Sequence, residues 1–187
     1  MSRLARLETV RLILRPWEGR DRAPFAALNA DPKVMETLPA VMSRAESVAM
    51  IDRIMDDFNE RGWGWFAVER KSDGAFIGAT GLSVPSFNAS FTPCVELAWR
   101  QASGFWGQGY VSEASRACVR YAFDVLGETY LYAFTTPDNA RSRAVMERIG
   151  MSHLAGGDFD HPNLSEGHRL RRHVLYRIDA PDMPGKA

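Results

Sequence analysis

Between Cys94 and Gly127 the chain changes hydrophobic period across two closely spaced glycines, and this stretch limits what the whole chain can become. Cys94-Val-Glu-Leu-Ala-Trp-Arg100 reads as a strand, and Val111, Ala114, Cys118, Tyr121, Ala122 and Val125 recur at helical spacing until Gly127 ends the helix. Phe105-Trp106-Gly107-Gln108-Gly109-Tyr110 lies between them as a loop. Glycines leave backbone N–H groups uncovered, and the first turn of the helix adds unpaired donors and a positive dipole end, so the stretch can form an anion site, most naturally for phosphate. The residues also allow a plain strand-to-helix turn that needs only positive φ. A dinucleotide fingerprint would place a third glycine at Ser112, and a Walker loop would place a lysine after its last glycine, so neither pattern is present.

The remaining segments fall around this unit. Leu7 to Arg15 alternates Val10, Leu12 and Leu14 with polar residues and predicts a first strand, ended by Pro16. A short helix through Phe25 and Leu28 should close at Asp31-Pro32. Ser43-Arg-Ala-Glu46 has the form of a capping box for a helix carrying Val48, Ile51, Met55 and Phe58 to about Arg61. Trp63 to Arg70 and Phe76 to Val84 predict a hairpin about Ser72-Asp73-Gly74, with Gly78 and Gly81 marking a bulge, and Pro85 to Pro93 predicts a loop. Tyr130 to Phe134 is a fifth strand, parallel to Cys94–Arg100, followed by a helix from Asn139. A strand at Met151 to Ala155, a loop from Gly156 to Leu170 and a strand at Arg171 to Ile178 complete an α+β reading with a mixed sheet. One domain over 1–180 and a loose tail over 181–187 are expected.

A net charge of +0, from 23 basic and 23 acidic residues, gives no global field for nucleic acid or an anionic membrane. Cys94 and Cys118 are too few for a disulfide framework or zinc site, and no apolar signal core lies between Met1 and Leu14, so a cytoplasmic protein with buried thiols is expected. Phe87, Phe91 and the C-terminal strand offer apolar surface for a homodimer. His153, His161, His168 and His173 gather late in the chain near Asp158 and Asp160, but no pair has a recognised ligand spacing. They read as substrate-loop and strand residues, with no metal. Trp63, Trp65 and Phe66 read as core or pocket wall.

A second motif, Asn139-Ala-Arg-Ser142-Arg-Ala-Val-Met-Glu-Arg-Ile-Gly150-Met151, together with the loop, resembles the GNAT family of acyl-CoA-dependent N-acetyltransferases. The likeness is to the branch similar to the ribosomal-protein N-terminal acetyltransferases (RimJ/RimL-like), and covers nearly the whole chain. Glu8-Thr9-Val-Arg11-Leu12-Ile-Leu14-Arg15 is similar to its opening. That family holds the pyrophosphate of coenzyme A with an Arg/Gln-x-x-Gly-x-Gly/Ala loop. Trp106 to Val111 matches it fully only at Gly109, with Trp106 at the Arg/Gln position and Val111 at the final small position, which implies reliance on backbone donors.

The resemblance implies a GNAT-like, mostly antiparallel sheet of about seven strands flanked by about four helices around one central βαβ unit. It implies acetyl-CoA as co-substrate, with the fourth and fifth strands splayed so that backbone near Leu97, Ala98 and Trp99 meets the pantetheine arm. Gly107, Gln108, Gly109, Tyr110, Val111 and Ser112 would hold phosphate. Glu96 is the candidate base, its pKa raised between Val95 and Leu97, or else a strand carboxylate paired with an arginine. Ser142 would protonate the departing thiolate, or bond its own i−4 carbonyl. Asn139 is a cofactor contact or an N-cap, and Arg143 a phosphate ligand or a solvated surface residue.

The expected acceptor is an α-amine of a peptide or protein. At pH 7 an α-amine is roughly one-seventh neutral, whereas a lysine is neutral only about once in 2,500 molecules. Acetylation of a small-molecule amine and a non-catalytic acyl-CoA-binding domain are the alternatives, and a Rossmann oxidoreductase is disfavoured by Ser112 and the antiparallel first half.

Overall fold

The computed structural model describes residues 4–181, so the expected tail lies, from residue 182, outside the described residues. Its strands are β1 (Leu7–Glu8), β2 (Leu12–Arg15), β3 (Trp65–Arg70), β4 (Phe76–Ser83), β5 (Glu96–Gln101), β6 (Tyr130–Thr135), β7 (Ser152–His153), β8 (Phe159–Asp160) and β9 (Arg172–Asp179). The helices are α1 (Arg22–Ala30), α2 (Pro32–Met35), α3 (Arg44–Arg61), α4 (Tyr110–Tyr121) and α5 (Ala140–Arg148). One sheet runs in the order β1-β2-β3-β4-β5-β6-β9-β7, with β8 also on β9. Every pairing is antiparallel except β5 with β6. This is the α+β arrangement expected, with β5, α4 and β6 as the single βαβ unit.

Two apolar layers hold the sheet between helices. On one face Leu12, Leu14, Phe66, Val68, Leu97, Leu131 and Ala133 pack with Ala114 and Cys118 of α4 and Met146 of α5. On the other, Ala67 and Ala79 lie under Phe25 and Leu28 of α1 and Ile51 of α3. Strand alternation produces this division, as Phe66 and Ala67 show. The bulge falls opposite Val68/Glu69, where Ile77 has no partner in the register. It sends Ile77 and Ala79, two residues apart, to opposite faces. Gly78 marks this bulge with φ 150, but Gly81 serves close approach: a Cβ there would sit 2.2 Å from the Gly64 carbonyl oxygen.

The α3 capping box forms, with Ser43 accepting from Glu46 N and Glu46 accepting from Ser43 N at 2.7 Å. Beyond Tyr121 the α4 backbone continues as a π-helical turn over Ala122–Leu126 and stops at Gly127. Three expectations change. The first strand is a tight hairpin, because Thr9 Oγ1 accepts from Leu12 N at 3.0 Å and turns the chain, leaving Val10 91% exposed. Pro32 opens a short helix, α2, capped by Asp31 accepting from Lys33 N at 2.9 Å. The strand expected at Met151 to Ala155 shortens to β7, while the Gly156–Leu170 loop contributes β8 to the free side of β9.

Candidate active site

β5 and β6 share one register pair, Glu96 with Tyr132, beside a Tyr132 N to Val95 O bond of 3.1 Å. Past it the strands diverge. Because β5 stays paired to β4 through Gln101, its other edge, including Leu97, Ala98 and Trp99, faces the gap. The gap widens into a cleft of about 1090 Å³ walled by β5, the glycine loop, the start of α5, the Val34–Pro39 segment and the His161–His173 segment.

Gly107 and Gly109 have φ 76 and 75, and Gly109 is the residue from which α4 starts. The first bond of α4 runs from Glu113 N to Gly109 O at 3.1 Å. The N–H groups of Tyr110, Val111 and Ser112 therefore have no acceptor within the helix, and all three residues line the cleft with Gly107, Gln108 and Gly109. The glycines take the positive φ that the turn needs, and the residues that carry the free N–H groups lie in the cleft wall, where an anion site would need them.

A brace for this loop was not legible in the sequence. Glu113 Oε1 accepts from Thr9 Oγ1 at 2.6 Å and from Arg11 N at 2.8 Å, and its Oε2 pairs with Arg11 Nε at 2.6 Å. Arg11 also donates to the Gln108 carbonyl at 3.0 Å and stacks over Tyr110 at 4.5 Å. The Thr9–Leu12 turn thus clamps the loop and the first turn of α4. Thr9 and Arg11 are about a hundred positions away in sequence, and nothing in local pattern announces such a pair.

Asn139 is the N-cap of α5, its Oδ1 accepting from Ser142 N at 3.1 Å, while it also lines the cleft. Its Nδ2 points toward Thr135 Oγ1, Thr37 Oγ1 and Ser142 Oγ at 2.9 to 3.1 Å. Ser142 Oγ accepts in this arrangement, so its own proton is available to the cleft; no bond to an i−4 carbonyl forms among the described residues. Arg143 is a correction. It donates to Tyr176 Oη at 3.2 Å and to the Pro137 carbonyl at 3.1 Å, and is not part of the cleft wall. The cations that do reach the wall from α5 are Arg141, over the Trp106 ring at 4.3 Å, and Arg148, 3.4 Å from Ser112 Oγ. A helix places residues seven apart on one face, which is the signal that could have singled out this pair.

Glu96 stands where the strands part and is, among the described residues, the one carboxylate in the wall. Burial pushes its pKa up to about 7, against a Ser83 Oγ that donates at 3.0 Å and holds it down slightly. No arginine pairs with it among the described residues, so it is not a strand ion pair. A half-protonated carboxyl near neutral pH at the narrow end of a cleft suits proton transfer.

The histidines separate. His161 and His173 line the cleft 5.1 Å apart beside Phe134 and Phe159, and burial lowers the pKa of each. His153 instead pairs with Asp158 at 2.6 Å outside it. No group of three or more His, Cys, Asp or Glu side chains suited to a metal occurs among the described residues. Trp65 is cleft wall and Phe66 core, as expected, with Trp63 packed beside the core. Phe87 and Phe91, each partly buried, pack within the chain against Phe134 and Phe159.

Known proteins share this framework. A family model described as the acetyltransferase (GNAT) domain matches residues 11–152. The protein YkkB of Bacillus subtilis strain 168 is 34% identical over 155 residues, covering 81% of this chain and 87% of that protein. The FsC-acetyl coenzyme A-N(2)-transacetylase of Aspergillus fumigatus is 31% identical over 192 residues, covering 95% of this chain and 80% of that protein. Among solved structures, a GNAT-family acetyltransferase from Bacillus anthracis superposes with a TM-score of 0.77 at 23% identity, over 94% of this chain and 98% of that one. RimL, a ribosomal L7/L12 α-N-protein acetyltransferase in complex with coenzyme A, gives 0.72 at 17%, over 94% and 98%.

Proposed function

The chain belongs to the GNAT acetyltransferase family and is an acetyl-CoA-dependent N-acetyltransferase, and we propose that its acceptor is the α-amine of a peptide or protein N-terminus. The observation that carries the reading is the parting of β5 and β6 at Glu96, with a wall that ends at the glycine loop. The free N–H groups of Tyr110, Val111 and Ser112 suit the cofactor's pyrophosphate, with Arg141 and Arg148 supplying the charge that Trp106 does not. The open edge of β5 at Leu97, Ala98 and Trp99 suits the amide-rich arm. These groups fit acetyl-CoA.

Glu96 takes a proton from the acceptor ammonium, directly or through water, leaving a neutral amine to attack the thioester carbonyl. As the carbon–sulfur bond breaks, Ser142 gives its hydroxyl proton to the leaving sulfur and recovers one, through water, from the nitrogen that is becoming the amide; with Glu96 releasing its proton to solvent, the products are the amide, free coenzyme A and a proton. A base of pKa about 7 is matched to an α-amine, whose reference pKa is about 7.8, far better than to lysine at about 10.4. The RimL likeness supports a protein N-terminus. The second reading, a small-molecule amine, draws on the relative whose name specifies an N(2) position. The buried thiols of Cys94 and Cys118 agree with a reducing, cytoplasmic setting.

A screen of N-terminal peptides, ribosomal proteins and small amines, read by release of coenzyme A thiol, tests the proposal. Turnover confined to small amines would overturn the acceptor class, and binding of NAD or ATP in place of acetyl-CoA would overturn the reading entirely.

A further inference from the structure

Arg100 lies on β5 without a counter-ion among the described residues. Its Nη1 donates to Asn29 Oδ1 at 2.6 Å, and its other neighbours are the sulfurs of Met42 and Met50 at 3.8 Å and the rings of Phe25 and Trp65 at about 6 Å. No carboxylate pairs with it among the described residues, and its remaining donors have no partner there although the side chain lines the cleft. The buried Arg15 is treated in the opposite way: it meets both oxygens of Asp21 at 2.8 Å and Glu69 at 2.9 Å. A guanidinium stays charged at neutral pH, and the one neutral acceptor and two aromatic faces beside it leave its charge without a matching anion and its other donors open to the cleft. Burial without a counter-charge brings its pKa down to about 10, the direction this deficit requires.

Two anions could fill the deficit, and the sheet separates them. The phosphate-binding loop leads into α4, which packs against the face bearing Leu97. Glu96, Ala98 and Arg100 alternate to the other face, where Arg100 meets Asn29 of α1 and Met50 of α3. We propose that Arg100 is a specificity residue that binds a carboxylate of the acceptor while Glu96 serves its amine, an inference that rests on the acetyl-transfer reading of the cleft. Along the strand the two residues are about 13 Å apart, of which the arginine side chain can span roughly half. The carboxylate therefore sits several bonds from the reacting nitrogen, as in an acidic side chain or a neighbouring residue.

Amidated tripeptides carrying Glu at the first, second or third position, each against its Gln counterpart, test this by kcat/KM from thiol release. At least one Glu peptide should exceed its Gln counterpart by about 10- to 100-fold, the range of a charge-assisted bond. R100M should bring that pair to within twofold while leaving KM for acetyl-CoA unchanged. N29A should lower Tm yet keep the preference, which separates charge recognition from simple packing. Should R100M not fold, calorimetric binding of the N-acetylated Glu and Gln products to the wild-type protein, with coenzyme A present, carries the test; equal affinities would overturn the inference. A wild type that acetylates every pair equally overturns it and leaves acetyl transfer intact. A rise in KM for acetyl-CoA alone in R100M assigns Arg100 to the cofactor and also overturns it. Failure to bind acetyl-CoA removes the underlying reading as well.

Discussion

Glu96 carries opposite consequences for rate and for stability. As base it must be ionised, so kcat/KM should rise with pH through about 7 and level off above it. Glu96→Gln should lower the rate by about 10²- to 10⁴-fold and remove that limb of the profile; an unchanged rate from pH 6 to 9 would deprive Glu96 of the role. Its folded pKa, about 7, exceeds the ordinary 4.5, so the folded protein binds more protons than the unfolded one between those values. Stability should therefore fall as pH rises across that window, by on the order of 3 kcal/mol, and denaturant melts of Glu96→Gln should lose this slope. Ser142→Ala should cost less than Glu96→Gln, since it removes only a proton for a sulfur leaving group.

The loop and the brace behind it act as one element. A side chain at Gly109 meets only Arg11 Nη2, at 3.7 Å, so space does not exclude it; φ 75 does, at about 1–2 kcal/mol for a residue bearing a Cβ. Gly109→Val should lose acetyl-CoA binding in calorimetry because relaxing that strain rotates the donors away from their common point. Glu113 acts on the loop through Arg11, which donates to the Gln108 carbonyl, and does not line the cleft, so it is a positioning residue. Glu113→Ala should weaken acetyl-CoA binding about tenfold, with one charged hydrogen-bond network lost. Glu113→Gln, which can still accept from Thr9 and Arg11 N, should recover part of it; no recovery would mean that charge alone matters.

At the scale of the molecule, the sheet is anchored where Arg15 and Asp21 pair with side-chain exposures of 4% and 2%. Removing Asp21 leaves the buried Arg15 with Glu69 at 2.9 Å as its close carboxylate, so Asp21→Ala should cost about 3 kcal/mol in chemical denaturation, the low end for a broken buried pair and still more than loss of the exposed Arg6–Glu8 pair. The same change lies on the far side of β3 from β5, and any fraction that folds should keep its KM for acetyl-CoA.

Period-two alternation, the capping box at Ser43 and the glycines at 107 and 109 are local signals, and local backbone preference is enough to determine helices, most strands and the parallel βαβ unit. Hence the fold class, the glycine loop, Glu96 and the two-motif likeness were legible from residues alone. The Thr9–Leu12 turn was not, because Val10 is apolar and reads as strand although it is almost fully exposed. Nor were the partners of charged side chains. Arg143 is the phosphate ligand expected from sequence; helix phase and Tyr176 turn it aside, and Arg141 and Arg148 reach the cleft instead. Arg11 finds Glu113, Arg15 finds Asp21 and Arg100 finds no acid, outcomes fixed by which strands and helices meet in space. Tertiary structure decided the electrostatics because a long side chain chooses among neighbours that are distant in the chain, and the free energy of that choice depends on burial, which no local pattern encodes.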